Sequence, residues 1–355
     1  MLALDVYQRI DAAARKCASE RLERQGDLAG LWRRLGAVGS QSDMQKRLEQ
    51  AEHYLGAVPT AEQTDSSFPA IEQSLPCIGI DGSQVYPDEK SPVLWAYAQA
   101  IAFRQGHMDH LLLPRFWGDV EAPLPESAPS WLDAERTLLE MEAAYQAAQR
   151  WPDHLILLDN PLIAWFDYYQ NAEYLKRYLS LLKNCFPRWL AGVVSSPRST
   201  LLVDLIRAAD CSNPQAWKRQ PNDVSDTALI RHGIPVGRRS ALFKHAPARN
   251  RPYQAAETAV YFFFIRLTEK EVVRVEIPQW LAQPETVEQV HASALADSFS
   301  LGYSYALTQA HRMVVISQDV ADALRQRAER VYFEETQKTF WQSRKQAVKA
   351  AIANR

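Results

Sequence analysis

The chain has 355 residues and a formal net charge of -2. Hydrophobic residues make up 47% and charged residues 23%, the balance of a globular chain with a sizeable core. That balance excludes a generally basic coat for nucleic acid, so any such contact needs a local patch. The four cysteines, Cys17, Cys77, Cys185 and Cys211, form no CxxC pair and no zinc-like spacing with histidine. They read as buried or inert thiols of a reducing, cytoplasmic setting. Met1 to Ala14 carries charges every few residues and lacks the apolar centre of a signal peptide. No apolar run approaches bilayer length, so no membrane is expected.

Residues 3–55 read as helical, with Leu4, Ile10, Ala14, Leu28, Leu31 and Leu35 recurring at three- and four-residue steps. They form an appended helical arm or helices packed on the main domain. Residues 57–76, with Pro59, Thr64, Asp65, Ser66 and Pro69, read as a connector. Cys77–Asp81 reads as a strand, followed by strands over 93–104 and 110–116, a succession that implies hairpins. Pro123, Pro125, Ser127, Pro129 and Ser130 read as a loop, and 131–150 as a helix ended by Trp151-Pro152. Strand 155–159, helix 171–186, strand 190–195 and helix 200–209 then alternate. Residues 227–256 read as a basic loop, 260–267 and 272–277 as a hairpin, 285–298 and 303–311 as helices. Residues 313–317 read as a strand, and 321–353 as a closing helix. The order is a mixed α/β one, with antiparallel strands early and strand–helix alternation after.

Two apolar runs end on aspartate. Asp81 follows Cys77-Ile78-Gly79-Ile80 and precedes Gly82-Ser83, a pair that reads as a turn. Asp159 follows Leu155-Ile156-Leu157-Leu158 and precedes Asn160-Pro161. Each is a carboxylate at a strand end, where sites are commonly built, and each is also the residue type that caps an ordinary turn. Glu142 lies three or four residues from Leu138, Leu139 and Tyr145, on or beside the inward stripe of its helix. Glu140 points away from that stripe and is the near competitor. Tyr303 and His311, eight residues apart, share a helical face. Arg231, Arg238, Arg239, Lys244, Arg249 and Arg251 fall in a stretch without Asp or Glu, suited to phosphate contacts or to pairing with acids elsewhere. There is no phosphate-binding Gly-rich loop and no G-x-S-x-G elbow, so nucleotide binding and serine nucleophiles lack support.

Five segments occur in the order found in NurA nucleases. They are Ile80-Asp81-Gly82-Ser83, Leu157-Leu158-Asp159, Ala191–Val194 with Ser196-Pro197-Arg198, Arg274–Pro278, and Gly302-Tyr303 with Ala310-His311. The chain resembles that family over about residues 75–320. The resemblance implies an RNase H-like mixed sheet with flanking helices and an added N-terminal helical region. It implies an N-terminal region over 1–56, a connector over 57–76, a nuclease domain over 77–320 and a C-terminal helix over 321–355. It further implies a homodimeric DNA nuclease dependent on Mn2+ or Mg2+, working beside a HerA-like hexameric ATPase on single strands and duplex ends. Carried over by position, the metal-binding acids would be Asp81, Glu142 and Asp159, with Tyr303 and His311 as the C-terminal pair. Asn160 departs from the glycine often found there. Two cations about 3.5–4 Å apart would activate water and support the leaving oxygen. His311 as a further ligand would favour Mn2+. Arg238, Arg239 and Lys244 would hold the DNA backbone. An inactive DNA-binding or assembly subunit, and an RNase H-like enzyme acting on RNA, are the competing readings.

Overall fold

A computed structural model describes residues 6–7, 9–16, 27–39, 42–51, 53–60, 69, 71–88, 94–118, 128–164, 172–195, 197–211, 224–298 and 302–336. The strands are β1 (Ala57–Pro59), β2 (Cys77–Val85), β3 (Ala96–Arg104), β4 (Leu111–Trp117), β5 (Leu155–Leu158), β6 (Leu190–Ser195), β7 (Phe243–His245), β8 (Val260–Arg266) and β9 (Val272–Pro278). They form one sheet in the order β1-β7-β8-β9-β6-β5-β2-β3-β4. β2, β3 and β4 make an antiparallel meander, and β5 and β6 then add in parallel beside β2. The far half, β9, β8, β7 and β1, is antiparallel.

Helices cover both faces of the central strands. α3 (Ala128–Arg150) lies on one face and α4 (Ala172–Asn184) packs against it. α8 (Pro284–Ser298) and α9 (Tyr305–Val314) lie on the other. Alternation along each strand feeds two separate cores. Ile78, Ile80, Ile156 and Leu158 pack with Leu132, Leu138 and Leu139 of α3. Cys77, Leu155 and Leu157 pack with Leu295, Leu307 and Ala310 of α8 and α9. This two-sided burial is why β2 and β5 read as unbroken apolar runs.

A third core explains the N-terminal region. α1 (Leu28–Gly39) and α2 (Ser42–Glu49) place Leu31, Leu35, Met44 and Leu48 against Leu202, Leu205 and Ile206 of α5 (Leu201–Ala209). α6 (Asp226–Gly233) adds Leu229 and Ile230. The N-terminal helices are thus packed on the main sheet, and β1 within the expected connector is that sheet's edge strand. Thr64, Asp65, Ser66, Pro123, Pro125 and Ser127 lie outside the described residues, as does everything after Thr336 in α10 (Gln318–Thr336).

Several expected elements differ. The strand at Cys77 does not stop at Asp81: it runs on through Gly82 and Ser83, because β3 pairs with it as far as Val85. Pro129 and Ser130 belong to the first turn of α3, where a proline lacks no needed hydrogen bond. The basic stretch 227–256 is loop over residues 234–242, around Arg238 and Arg239, while α6, β7 and α7 (Pro247–Ala255) take up most of the rest. Ser225 caps α6 by accepting from the Ala228 N–H, and Pro247 opens α7. Met313 and Val314 continue α9, so the strand expected over 313–317 does not form.

Candidate active site

The two aspartates meet because β5 is short. Ile80 pairs with Leu158 at the last rung of the parallel ladder, and the Asp159 N–H still donates to the Ile80 carbonyl at 3.2 Å. Asp81 and Asp159 therefore leave neighbouring strands at the same level, roughly 4.8 Å apart along the hydrogen-bonding direction. Both occupy odd positions, with Cys77, Gly79, Leu155 and Leu157, and so face the α9 side of the sheet.

α9 supplies their partners. Ser304 caps it by accepting from the Leu307 N–H at 3.1 Å, while its own hydroxyl donates to Asp297 at 2.5 Å. Gly79 lets this helix lie directly on β2: a Cβ there would stand 2.2 Å from the Ala306 carbonyl oxygen. The approach brings His311 Nδ1 to 2.8 Å from Asp81 Oδ2. Asp81 Oδ1 accepts from the Gly82 N–H at 2.8 Å. Tyr303 precedes the helix, and its hydroxyl donates to Asp159 Oδ1 at 2.5 Å. The expected pair thus arrives at the site, but Tyr303 comes from the turn before the cap and each residue serves a different aspartate.

The third carboxylate at this place is Glu140. Glu142 instead turns to Arg115 at 2.8 Å, on a cleft that also involves Lys176 and Arg177. α3 is buried on more than one side, between the sheet and α4, so a simple inward rule does not separate the two glutamates. Glu140 is 1% exposed and reaches across β2 at Gly82, where a Cβ would stand 2.5 Å from its Oε1. Its Oε2 accepts from Asn160 Nδ2 at 2.6 Å, and its Oε1 accepts from Arg136. The sequence offers Glu140 only as the competitor of Glu142, gives no sign of Arg136, and shows Asn160 only as a departure. The available signal was Gly82: within a strand it leaves a gap for side chains from α3 rather than making a turn.

The cluster carries strained electrostatics. Burial raises the Glu140 carboxyl, Arg136 offsets part of this, and Asp81 adds to it, leaving it at about 7. Burial also raises Asp159, with the Asp81 charge adding and the Tyr303 hydrogen bond opposing. Tyr303 is pushed up by burial and by Asp159. Among the described residues, no three Asp, Glu, His or Cys side chains already form a cation cage. Each carboxylate faces a protein partner instead. The donor chemistry nevertheless fits a hard divalent cation: three carboxylates supply oxygen, and an added positive charge would relieve their mutual repulsion.

Behind the site, Glu276 fixes the loop that follows Asp159. It is fully buried and accepts from the N–H groups of Leu162 at 2.8 Å and Ile163 at 3.2 Å. Arg274 and His245 donate to its other oxygen, each at 3.0 Å. Burial would raise this carboxyl, but Arg274, His245 and the Ile163 N–H hold it at about 2. Burial keeps His245 below its ordinary value, so it serves as a neutral donor.

The expected phosphate-contacting residues lie elsewhere. Lys244 is in β7, five strands from β2, and pairs with Glu49 at 3.4 Å. Arg239 is 5% exposed, pairs with Glu288 at 3.3 Å and sits over the Phe263 ring. The Arg238 carbonyl accepts from the Arg266 N–H, edging β8. The structure does not bring these three to the carboxylates: Lys244 lies in an inner strand, and the loop that carries Arg238 and Arg239 runs beside β8, with Arg239 bridged to Ile265.

An antiparallel meander leading into two parallel strands, with aspartates where the parallel ladder ends, defines an RNase H-like α/β protein. A family model for the NurA domain matches residues 76–316, and the chain belongs to that family. The crystal structure of the NurA nuclease from Sulfolobus solfataricus is similar at TM-score 0.57 and 11% identity, over 96% of this chain and 100% of that one. A crystal structure of NurA with manganese aligns at TM-score 0.47 and 12% identity, over 90% and 96%. The catalytic domain of human endonuclease V aligns at TM-score 0.35 and 13% identity, over 80% and 96%. No curated protein matches the chain. Among the described residues, no helix is long and apolar enough to cross a membrane.

Proposed function

We propose that this protein is a divalent-cation-dependent nuclease that hydrolyses phosphodiester bonds of DNA. The observation that carries the reading is the meeting of Asp81 and Asp159 at the end of the β5 ladder, with Glu140 held beside them through Asn160. Family membership supports it independently. Asp81, Asp159 and Glu140 would hold Mn2+ or Mg2+, as a pair of ions, and the bound cations would lower the pKa of water and neutralise the phosphate. In the reaction a water oxygen bonds to phosphorus and gives up a proton, the bond from phosphorus to the leaving deoxyribose oxygen breaks, and that oxygen takes up a proton. Tyr303 holds the Asp159 carboxylate in one orientation through its hydroxyl. His311 holds Asp81, and its exposed ring lies where a proton can pass between site and solvent. Asn160 fixes Glu140, so the residue that departs from the usual glycine has a task in the site.

The same reading makes 77–320 the nuclease domain, with 1–56 and 321–355 as additions. It makes the active form a homodimer on DNA ends beside a HerA-like hexameric ATPase. The test is cleavage of labelled single-stranded DNA, duplex DNA and RNA with Mn2+. Asp81→Asn and Asp159→Asn should each abolish DNA cleavage while retaining DNA binding. Full cleavage by either variant would refute the reading, and preferential cleavage of RNA would redirect it.

A further inference from the structure

Arg136 stands one helical turn before Glu140 on α3, the spacing at which two side chains meet on a helix surface. Its Nη1 donates to Glu140 Oε1. Its Nε is buried and makes no hydrogen bond. Glu140, Asp133 and Asp81 all favour its charge. The side chain remains 19% exposed, so it reaches the edge of the site rather than lying wholly inside the protein. Gly82 accommodates it as well as Glu140: a Cβ there would stand 2.9 Å from Arg136 Cγ.

These features belong together. The carboxylate that Arg136 covers is the one whose oxygens a cation would need. A buried ion pair kept only for the fold gains little over an apolar pair, and it ordinarily has its remaining donors satisfied. Arg136 has a donor left over. A guanidinium also carries a planar fork of donors that matches two oxygens of a phosphate.

We propose that Arg136 is an exchangeable counter-ion of the active site. It neutralises Glu140 until a divalent cation takes that carboxylate. The guanidinium is then released, and its Nη and Nε donors contact the phosphate being cleaved. The proposal rests on the nuclease reading and adds to it a residue that both holds Glu140 before a cation binds and touches substrate.

Two readouts moving in opposite directions test it. Mn2+ affinity is measured by calorimetry at pH 8 for the wild type, Arg136→Gln and Arg136→Lys, with thermal melting as the check on folding. Single-turnover cleavage is measured at saturating Mn2+. Arg136→Gln should bind Mn2+ about tenfold more tightly, because a competing positive charge is gone. It should cleave about 100-fold more slowly, the usual loss when one charge-stabilising donor is removed. Arg136→Lys should lie between wild type and Gln in both, and it serves should Gln fail to fold. Weaker Mn2+ binding together with slower cleavage would mark a purely structural ion pair and overturn the proposal. Tighter binding with unchanged cleavage would overturn the phosphate contact. A wild type that neither takes up Mn2+ nor cleaves would overturn the nuclease reading, and this proposal with it.

Discussion

Gly79→Ala is the most exacting test of how the site is held. The added Cβ would stand 2.2 Å from the Ala306 carbonyl oxygen, 2.4 Å from its carbon and 2.7 Å from the Leu307 nitrogen. All three are backbone atoms, so no side chain can rotate away. Ordinary contact begins at 3.4 Å, so α9 must retreat by about 1.2 Å. A retreat of that size lengthens the 2.8 Å contact between His311 and Asp81 to about 4 Å, past any hydrogen bond. Overpacking of this kind costs about 1–3 kcal/mol of stability. Misplacement by about 1 Å costs on the order of 100-fold in rate. Urea denaturation and single-turnover cleavage measure the two effects. A variant with wild-type stability and rate would show that α9 does not rest on β2 at Gly79 and that the helix does not position His311.

The two glutamates of α3 should separate cleanly. Glu140→Gln should abolish Mn2+-dependent cleavage, whereas Glu142→Gln should leave it intact and cost less than about 1 kcal/mol, the worth of its partly exposed pair with Arg115. Mn2+ uptake by the wild type should strengthen as pH passes about 7, since burial raises the metal-free Glu140 carboxyl to about 7 and it must give up its proton to bind a cation. Glu276→Gln should destabilise the fold at pH 7, measured by urea denaturation. The drop from an ordinary 4.5 to about 2 corresponds to about 3 kcal/mol. Because that pKa is lowered, the contribution is complete above about pH 4.5 and is lost as pH falls through about 2. The gap between wild type and variant should therefore close in acid, and a gap independent of pH would refute the assignment of Glu276 as ionised.

The central strands were legible because burial on both faces makes them continuous apolar runs, and β2, β3, β5, β6, β8 and β9 were all expected close to where they lie. β1 and β7 were not, since each is only three residues long and carries no periodicity. Asp81 and Asp159 stood out as charges ending apolar runs, and the structure brings them together. Their reason for meeting was hidden, because it depends on where the β5 ladder stops. The choice of Glu140 over its competitor Glu142 was hidden for a related reason: their helix is buried on several sides, and the space Glu140 fills is defined by a missing Cβ on another element. The basic stretch misled because composition does not report register. Arg239 and Lys244 are consumed by Glu288 and Glu49, which are distant in sequence.

β1 has a consequence for how the chain acquires its structure. Ala57 pairs with His245, 188 residues later. The apolar faces of α1 and α2 likewise close on α5 and α6, beyond residue 200. α1, α2 and β1 therefore lack these partners until the chain has been made past residue 245. Such long-range closure gives high contact order and slow folding. The docking of the N-terminal helices should be the late step in refolding, with Leu35, Leu48 and Leu205 exposed to solvent until it occurs.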